Sequence, residues 1–232
     1  PDFPKPPPAA EGFFVFPSRR VLKLDRTMTP ALLSAFALFA FVSSITPGPN
    51  NAMLLASGAN FGVRRSIPHM AGVFAGFLTL LTLCGLGLGG LFVAYPVLHV
   101  ILTVVGTVYL LYLAARIALS DSLSNKTTGA RPMRFIEAFA FQAANPKGWV
   151  MAIGAVTAYV PEQNYFWNLA IIVVVFGLIQ TPSISVWTVF GRILRRFLDN
   201  PRTLRVFNIT MGLLLALSLI PTVVELAGQL GR

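Results

Sequence analysis

Two short runs in this chain place prolines beside amide and ammonium side chains within otherwise apolar sequence: Ile45-Thr46-Pro47-Gly48-Pro49-Asn50-Asn51 and Asn145-Pro146-Lys147-Gly148. Proline has no N–H and clashes with the carbonyl four residues back, so it interrupts a helix. Pro47, Pro49 and Pro146 would free the carbonyls of Ser43, Ile45 and Gln142. Beyond each interruption a new half-helix starts, and its free N–H groups and positive dipole end suit an anion. Lys147 adds a compact charge whose protonation shifts with its surroundings. The two runs therefore hold donors for a carboxylate, in Lys147 and the half-helix N–H groups. They also hold acceptors for an ammonium, in the freed carbonyls and the side chains of Asn50, Asn51 and Asn145. This is the chemistry of binding. The apolar stretches contain no nucleophile–base set, metal site or paired acids, so no catalytic residue is expected. The lone Cys84 can form no internal disulfide, there is no Cys/His cluster with metal spacing, and no cofactor is expected.

The elements that carry these runs must lie in a bilayer. Of the 232 residues 55% are apolar and only 11% charged, with a mean hydropathy of +0.72, against about a quarter charged in an ordinary soluble domain. The net charge of +10 comes from basic residues scattered between apolar runs without aromatic interleaving, which excludes nucleic acid as a partner. No Asp, Glu, Lys or Arg occurs in 27–63, 66–115 or 206–224, and 137–191 has only Glu137, Lys147 and Glu162. At about 20 residues per span, these stretches hold six transmembrane helices: roughly 31–58, 68–93, 97–119, 136–160, 166–190 and 207–226. The expected fold is an all-α integral membrane protein. Arg64 and Arg65, then Arg116, Lys126, Arg131 and Arg134, then Arg192, Arg195, Arg196, Arg202 and Arg205 occupy alternate connections, while the other face has only Arg232 among its connections and at the C-terminus. The positive-inside rule makes the basic face cytoplasmic and puts both termini outside. Three spans before the central link, 120–135, give the halves 28–119 and 136–232 opposite orientations, a 3+3 inverted repeat whose first and fourth helices are broken. Residues 1–27, Pro-rich and basic, read as an upstream extension or disordered leader. A faint twin-arginine pattern at Ser18-Arg19-Arg20-Val21-Leu22-Lys23 is the alternative there.

In hydrocarbon an interrupted helix is tolerated only where it is buried in protein or lines a wet cavity. Corresponding breaks in two inverted halves are the best sequence pointer to a transporter's substrate site. The plain alternative is that these prolines merely kink their helices. Lys147 lies about ten residues from either end of its span, too deep to snorkel easily, so it should face the interior and have a partner, with a substrate carboxylate as the candidate. Glu137, near the cytoplasmic end and off the Lys147 face, reads as interfacial. His69 and His99, near span ends, read as interfacial or satisfied polar residues rather than proton relays. Gln142, Gln180, Thr181 and Ser183 are further candidate contacts from the fourth and fifth spans. The small-residue patterns Gly72-Val73-Phe74-Ala75-Gly76 and Gly85-Leu86-Gly87-Leu88-Gly89 read as packing seams. A membrane scaffold would show six spans without needing a central lysine, and should tolerate Met at 147. A channel would display charged rings or a repeated filter loop, which are absent.

Four motifs in order resemble the LysE/RhtB family of amino-acid exporters: Thr46-Pro47-Gly48-Pro49-Asn50, Gly62-Val63-Arg64-Arg65, Tyr109-Leu110-Leu111-Tyr112-Leu113, and Phe141-Gln142-Ala143-Ala144-Asn145-Pro146-Lys147. The similarity covers Met28 to Thr222. The stretch Met53-Leu54-Leu55-Ala56-Ser57-Gly58-Ala59-Asn60-Phe61-Gly62 and the Phe-Gln before Asn145 are closer to the cysteine and O-acetylserine exporter branch than to the lysine branch. Where many members carry an acidic residue after a glycine in the second span, this chain has Phe77 after Gly76. The resemblance implies proton-driven efflux of amino acids or small neutral derivatives across the bacterial inner membrane. The expected substrate-binding residues are Thr46, Pro47, Gly48, Pro49, Asn50, Asn51, Gln142, Asn145, Pro146 and Lys147. The expected partners are an amino-acid substrate, protons as coupling ion, the lipid bilayer and, as an open option, further copies in a homo-oligomer. A non-transporting scaffold or assembly factor and an exporter of another small metabolite are the alternative readings.

Overall fold

The computed structural model describes residues 28–88, 96–119, 131–198, 200–220, 223–224 and 228, and these contain eight α-helices and no strand. The leader 1–27, Gly89 and most of the central link lie outside the described residues, as does the side chain of His99.

Proline sets the helix boundaries. Helix α1 (Pro30–Ile45) starts behind Thr29, whose Oγ1 accepts the N–H of Leu32 at 3.1 Å, with Pro30 at the first helical position, where its missing donor costs nothing. A residue before proline is pushed out of the helical region. Thr46, preceding Pro47, is extended at φ −63°, ψ 143°, and Gly48, preceding Pro49, is extended too. The chain restarts as α2 (Pro49–Phe61), bent 53° from α1. Gly62, at φ 78° and ψ 166°, occupies a region closed to side chains and turns α2 directly into α3 (Val63–Leu83). Next come a π-helical turn (Cys84–Leu88) and α4 (Pro96–Ala118). Asn145, preceding Pro146, is again extended, at φ −91° and ψ 103°. It splits the fourth apolar stretch into α5 (Phe135–Phe141) with a 3-10 turn (Gln142–Ala144), and α6 (Pro146–Tyr159). Helix α7 (Tyr165–Leu194) is the longest among the described residues, and α8 (Pro201–Leu217) starts behind Asn200, whose side chain accepts the N–H of Arg202.

Among the described residues α3 with its π turn and α7 with its 3-10 end are long and apolar enough to cross a membrane, and the bent α1–α2 pair makes a third candidate. The other apolar segments described are shorter, Thr103–Ala118 and Phe135–Ala144.

The packing is inside-out relative to a soluble protein. Leu38, Val108 and Leu178 point outward, Leu178 being 69% exposed, while Asn51, Gln142, Asn145, Asn168, Gln180 and Asn208 are buried. An apolar exterior fits a lipid solvent, and polar groups then collect where protein can pair them. Helices α1 and α2 pack on α7; α3 packs on α5, α6 and α7; α4 packs on α8. Phe36 of α1, Phe77 of α3, Tyr159 of α6 and Phe176 of α7 form an aromatic cluster, with Phe77 and Phe176 centroids 4.6 Å apart. Tyr109 lies 6.1 Å from Phe141, while Leu110 and Leu113 join Leu215 and Leu219 in a second cluster.

Between helices in lipid there is little hydrophobic drive, so close backbone approach decides association. A methyl at Gly58 of α2 would lie 2.0 Å from the Thr188 carbonyl of α7, and one at Gly191 of α7 would lie 2.1 Å from the Leu55 carbonyl of α2. On α3, a methyl at Gly72 would meet the Phe135 carbonyl at 2.3 Å, and at Gly76 the Phe139 carbonyl at 2.7 Å. Gly72 and Gly76 are thus a seam against α5. Gly85 packs on Leu169, and its carbonyl accepts the Tyr165 hydroxyl at 2.7 Å. Gly58→Ala and Gly191→Ala should each destabilise the bundle by about 1–3 kcal/mol through overpacking. Gly154→Ala, whose methyl would meet only Phe39 at 3.7 Å, should be neutral; thermal unfolding in detergent checks both.

Candidate functional site

The two proline interruptions meet. The stem of Lys147, at the start of α6, crosses over Gly48, where an added methyl would come within 2.8 Å of Lys147 Cδ. Glycine at 48 is what admits the lysine. The ammonium then donates to the Thr46 carbonyl at 2.8 Å, Thr46 Oγ1 at 3.0 Å and the Pro47 carbonyl at 3.3 Å. A cation at the carboxyl end of α1 satisfies carbonyls that lack helical partners and complements the helix dipole. Lys147 is half-buried and does have a partner, the broken end of α1.

The other freed carbonyls are satisfied as well, contrary to the expectation that they would wait for a substrate ammonium. The Ser43 carbonyl accepts Thr46 Oγ1 at 3.1 Å, Ile45 accepts Trp187 Nε1 at 3.1 Å, and Gln142 accepts the Asn145 N–H at 3.2 Å. Asn51 Nδ2 donates to the carbonyls of Ser44 and Thr46, both at 2.8 Å. Asn51 is therefore a helix cap. An unmade bond in an apolar interior costs about 1–3 kcal/mol, so donors supplied by neighbouring elements are the condition for the break to exist.

A second cross-link is an amide pair. Asn50 Nδ2 donates to Gln142 Oε1 at 2.9 Å, and Gln142 Nε2 donates to Asn50 Oδ1 at 3.2 Å and to the Ala138 carbonyl at 3.0 Å. The Ala138 carbonyl can only accept, which fixes the orientation of Gln142 and through it that of Asn50. Gln142 Oε1 also accepts Asn145 Nδ2 at 3.4 Å. Asn145 Oδ1 is left buried without a partner.

Between the interruptions lies a cavity of ≈ 30 Å³, walled by Ser44, Asn145 and Gln180 among its polar groups and by Val73, Phe77, Met151 and Ile184 on its apolar side. It has room for about one water and none for an amino acid. Gly48, Pro49, Asn50, Asn51 and Lys147 complete its rim, whereas Thr46 and Pro47 are exposed and Gln142 stands behind Asn50. Pro49 and Pro146 occupy the first positions of α2 and α6, so the free N–H groups of both half-helices start at this junction. Of the further contacts expected from the fifth span only Gln180 reaches the cavity. Thr181 and Ser183 bond back to the carbonyls of Gly177 and Ile179.

Ser44 and Trp187 were not singled out from the sequence. An indole N–H in an apolar span must find an acceptor, which is the signal Trp187 carries; a serine among serines carries none. Glu137 lies at the start of α5, in an ion pair with Arg131 and accepting the Arg134 N–H at 2.8 Å. His69 is only 1% exposed and neither ring nitrogen has a hydrogen bond, so it is not a satisfied polar residue; it shares a helix face with Gly72 and Gly76.

The LysE type translocator family matches residues 41–219. The chain belongs to that family. It is therefore a multi-pass membrane transporter and not an enzyme. Among its relatives, cysteine/O-acetylserine efflux proteins of Salmonella paratyphi A and Salmonella typhi are 34% identical over 189 residues, covering 81% of this chain and 95% of each relative. The protein of that name in Escherichia coli K12 is 32% identical over the same span. No solved structure matches the chain significantly.

Gln142→Leu should strand the amides of Asn50 and Asn145 and destabilise the protein by about 1–3 kcal/mol. Adding Asn50→Leu should recover part of that loss, and a double-mutant cycle of thermal unfolding measures the coupling.

Proposed function

We propose that this chain exports neutral amino acids or small amino-acid derivatives across the bacterial inner membrane, by proton-coupled alternating access at the junction of its two broken helices. The observation that carries the reading is that Lys147 and Thr46, 101 residues apart, join two proline interruptions around one cavity. Thr46, Pro47, Gly48, Pro49, Asn50 and Asn51 supply one side of the substrate site, and Gln142, Asn145, Pro146 and Lys147 the other. The names of the efflux relatives point to substrates that carry an ammonium and a carboxylate on one carbon.

The helix pairing supports a 3+3 inverted repeat of six spans. The first apolar stretch packs on the fifth, the second on the fourth, the third on the sixth, and the second also on the fifth. Exchanging the first half for the second returns the same set of pairs. With the basic connections cytoplasmic, both termini are external. Opening the junction moves the Lys147 ammonium from the end of α1 to the substrate carboxylate, so the closed form is held by an internal substitute for the ligand. Substrate binding and junction opening are then one event, which couples occupancy to the rocking of the halves.

The test is efflux of labelled cysteine, O-acetylserine, threonine, leucine and lysine from proteoliposomes, with and without a proton gradient. Gradient-dependent loss of a neutral member with retention of lysine is expected; retention of the whole panel would overturn the reading. Pro49→Ala and Lys147→Met should each abolish export without loss of membrane insertion, and parental rates in both would discard the two-break site.

A further inference from the structure

Most polar groups buried in this bundle have partners, and three that have none surround the same cavity. Ser44 Oγ of α1, Asn145 Oδ1 at the second interruption and Gln180 Oε1 of α7 are buried without a hydrogen bond, in residues 7%, 2% and 5% exposed. The orientation of Asn145 is not arbitrary, because the chain of amides from the Ala138 carbonyl through Gln142 engages its Nδ2 and leaves Oδ1 as the atom without a partner. These two amide oxygens and one hydroxyl oxygen without donors belong to residues of three separate elements that wall one space, whose lining has no Asp or Glu.

We propose that Ser44, Asn145 and Gln180 form the ammonium subsite of the transporter, one oxygen for each N–H of a primary ammonium. The inference rests on the export reading above and specifies which end of the substrate goes where. An ammonium has three donors and no acceptor, the complement of what these oxygens offer. Neutral acceptors leave the ligand's positive charge to be balanced by its own carboxylate, held by Lys147 and the half-helix N–H groups. A substrate with a second cationic group would bury a charge without a partner, which is costly. The apolar wall of Val73, Phe77, Met151 and Ile184 receives a small uncharged side chain. The subsite therefore selects zwitterions with a free primary ammonium, tolerates acylation of the side chain and rejects acylation of the nitrogen. Because Ser44 lies before the first interruption and Asn145 and Gln180 lie in the second half, an ammonium at their centre also ties the halves together.

O-acetylserine and N-acetylserine test this directly, being isomers that differ in whether the nitrogen is free. With the full chain in proteoliposomes, O-acetylserine should be exported, and N-acetylserine should neither be exported nor compete. Gln180→Met and Ser44→Ala should each raise the half-saturating concentration of O-acetylserine about 10-fold or more, the loss of a hydrogen bond to a charged group. The same variants should unfold at the parental temperature or higher, since each removes a buried polar atom that had no partner. A purely structural role would instead lower the unfolding temperature. O-acetylserine should raise the unfolding temperature of the parental protein in detergent, N-acetylserine should not, and the shift should shrink in Gln180→Met. Equal competition by the two isomers, or unchanged half-saturation in both variants, overturns the subsite while leaving the exporter reading intact. Failure of the parental protein to export any amino acid overturns the exporter reading itself.

Discussion

A proline inside an apolar bundle leaves a carbonyl that water cannot reach, and the architecture of this transporter follows from how those carbonyls are answered. Pro47, Pro49 and Pro146 each remove a donor. The donors that replace them are the Thr46 hydroxyl, the Trp187 indole of α7 and the Asn145 N–H, while Asn51 and the Lys147 ammonium of α6 answer the neighbouring carbonyls of Ser44, Thr46 and Pro47 at the end of α1. Trp187 and Lys147 lie far away in sequence. The end of α1 is thus held partly by α6 and α7, which makes the junction a tertiary contact and not a local kink alone.

The same bonds are the ones the proposed export cycle would exchange. Lys147 rests on acceptors of the kind a substrate ammonium would use, while Ser44, Asn145 and Gln180 remain without donors beside it. In the proposed export cycle this internal cation holds the closed junction, and a zwitterionic ligand draws Lys147 to its carboxylate while its own ammonium takes the oxygens that lack donors. Glycines at 58 and 191 bring α2 against α7, and glycines at 72 and 76 bring α3 against α5, so smooth backbone surfaces flank the bonds that would have to change.

Much of this was legible in the sequence because proline acts on its own backbone. The extended conformations at Thr46, Gly48 and Asn145 follow from the residue after each, and the helix starts at Pro49 and Pro146 follow from the same chemistry. The depth of Lys147 in an uncharged stretch required an interior partner. The identity of that partner was not legible, since a lysine among carbonyls and a lysine among substrate carboxylates have the same local sequence. Ser44 and Trp187 join the site only through the packing of α1 on α7, which no spacing within either helix encodes. The packing of His69 is hidden for a related reason: its place near the span end says nothing of what covers it, whereas the seam at Gly72 and Gly76 shows that its helix face is packed against protein.

In the proposed export cycle the space between the two interruptions is the substrate path. Met151 lines it, and Cys84 is the chain's only cysteine, so a Cys84→Ala background carrying Met151→Cys reports on that space alone. The rate at which a membrane-impermeant thiol reagent labels residue 151 in proteoliposomes should be measurable from either side and should fall when O-acetylserine saturates the site. Labelling from neither side, or at a rate indifferent to the amino acid, would contradict the account.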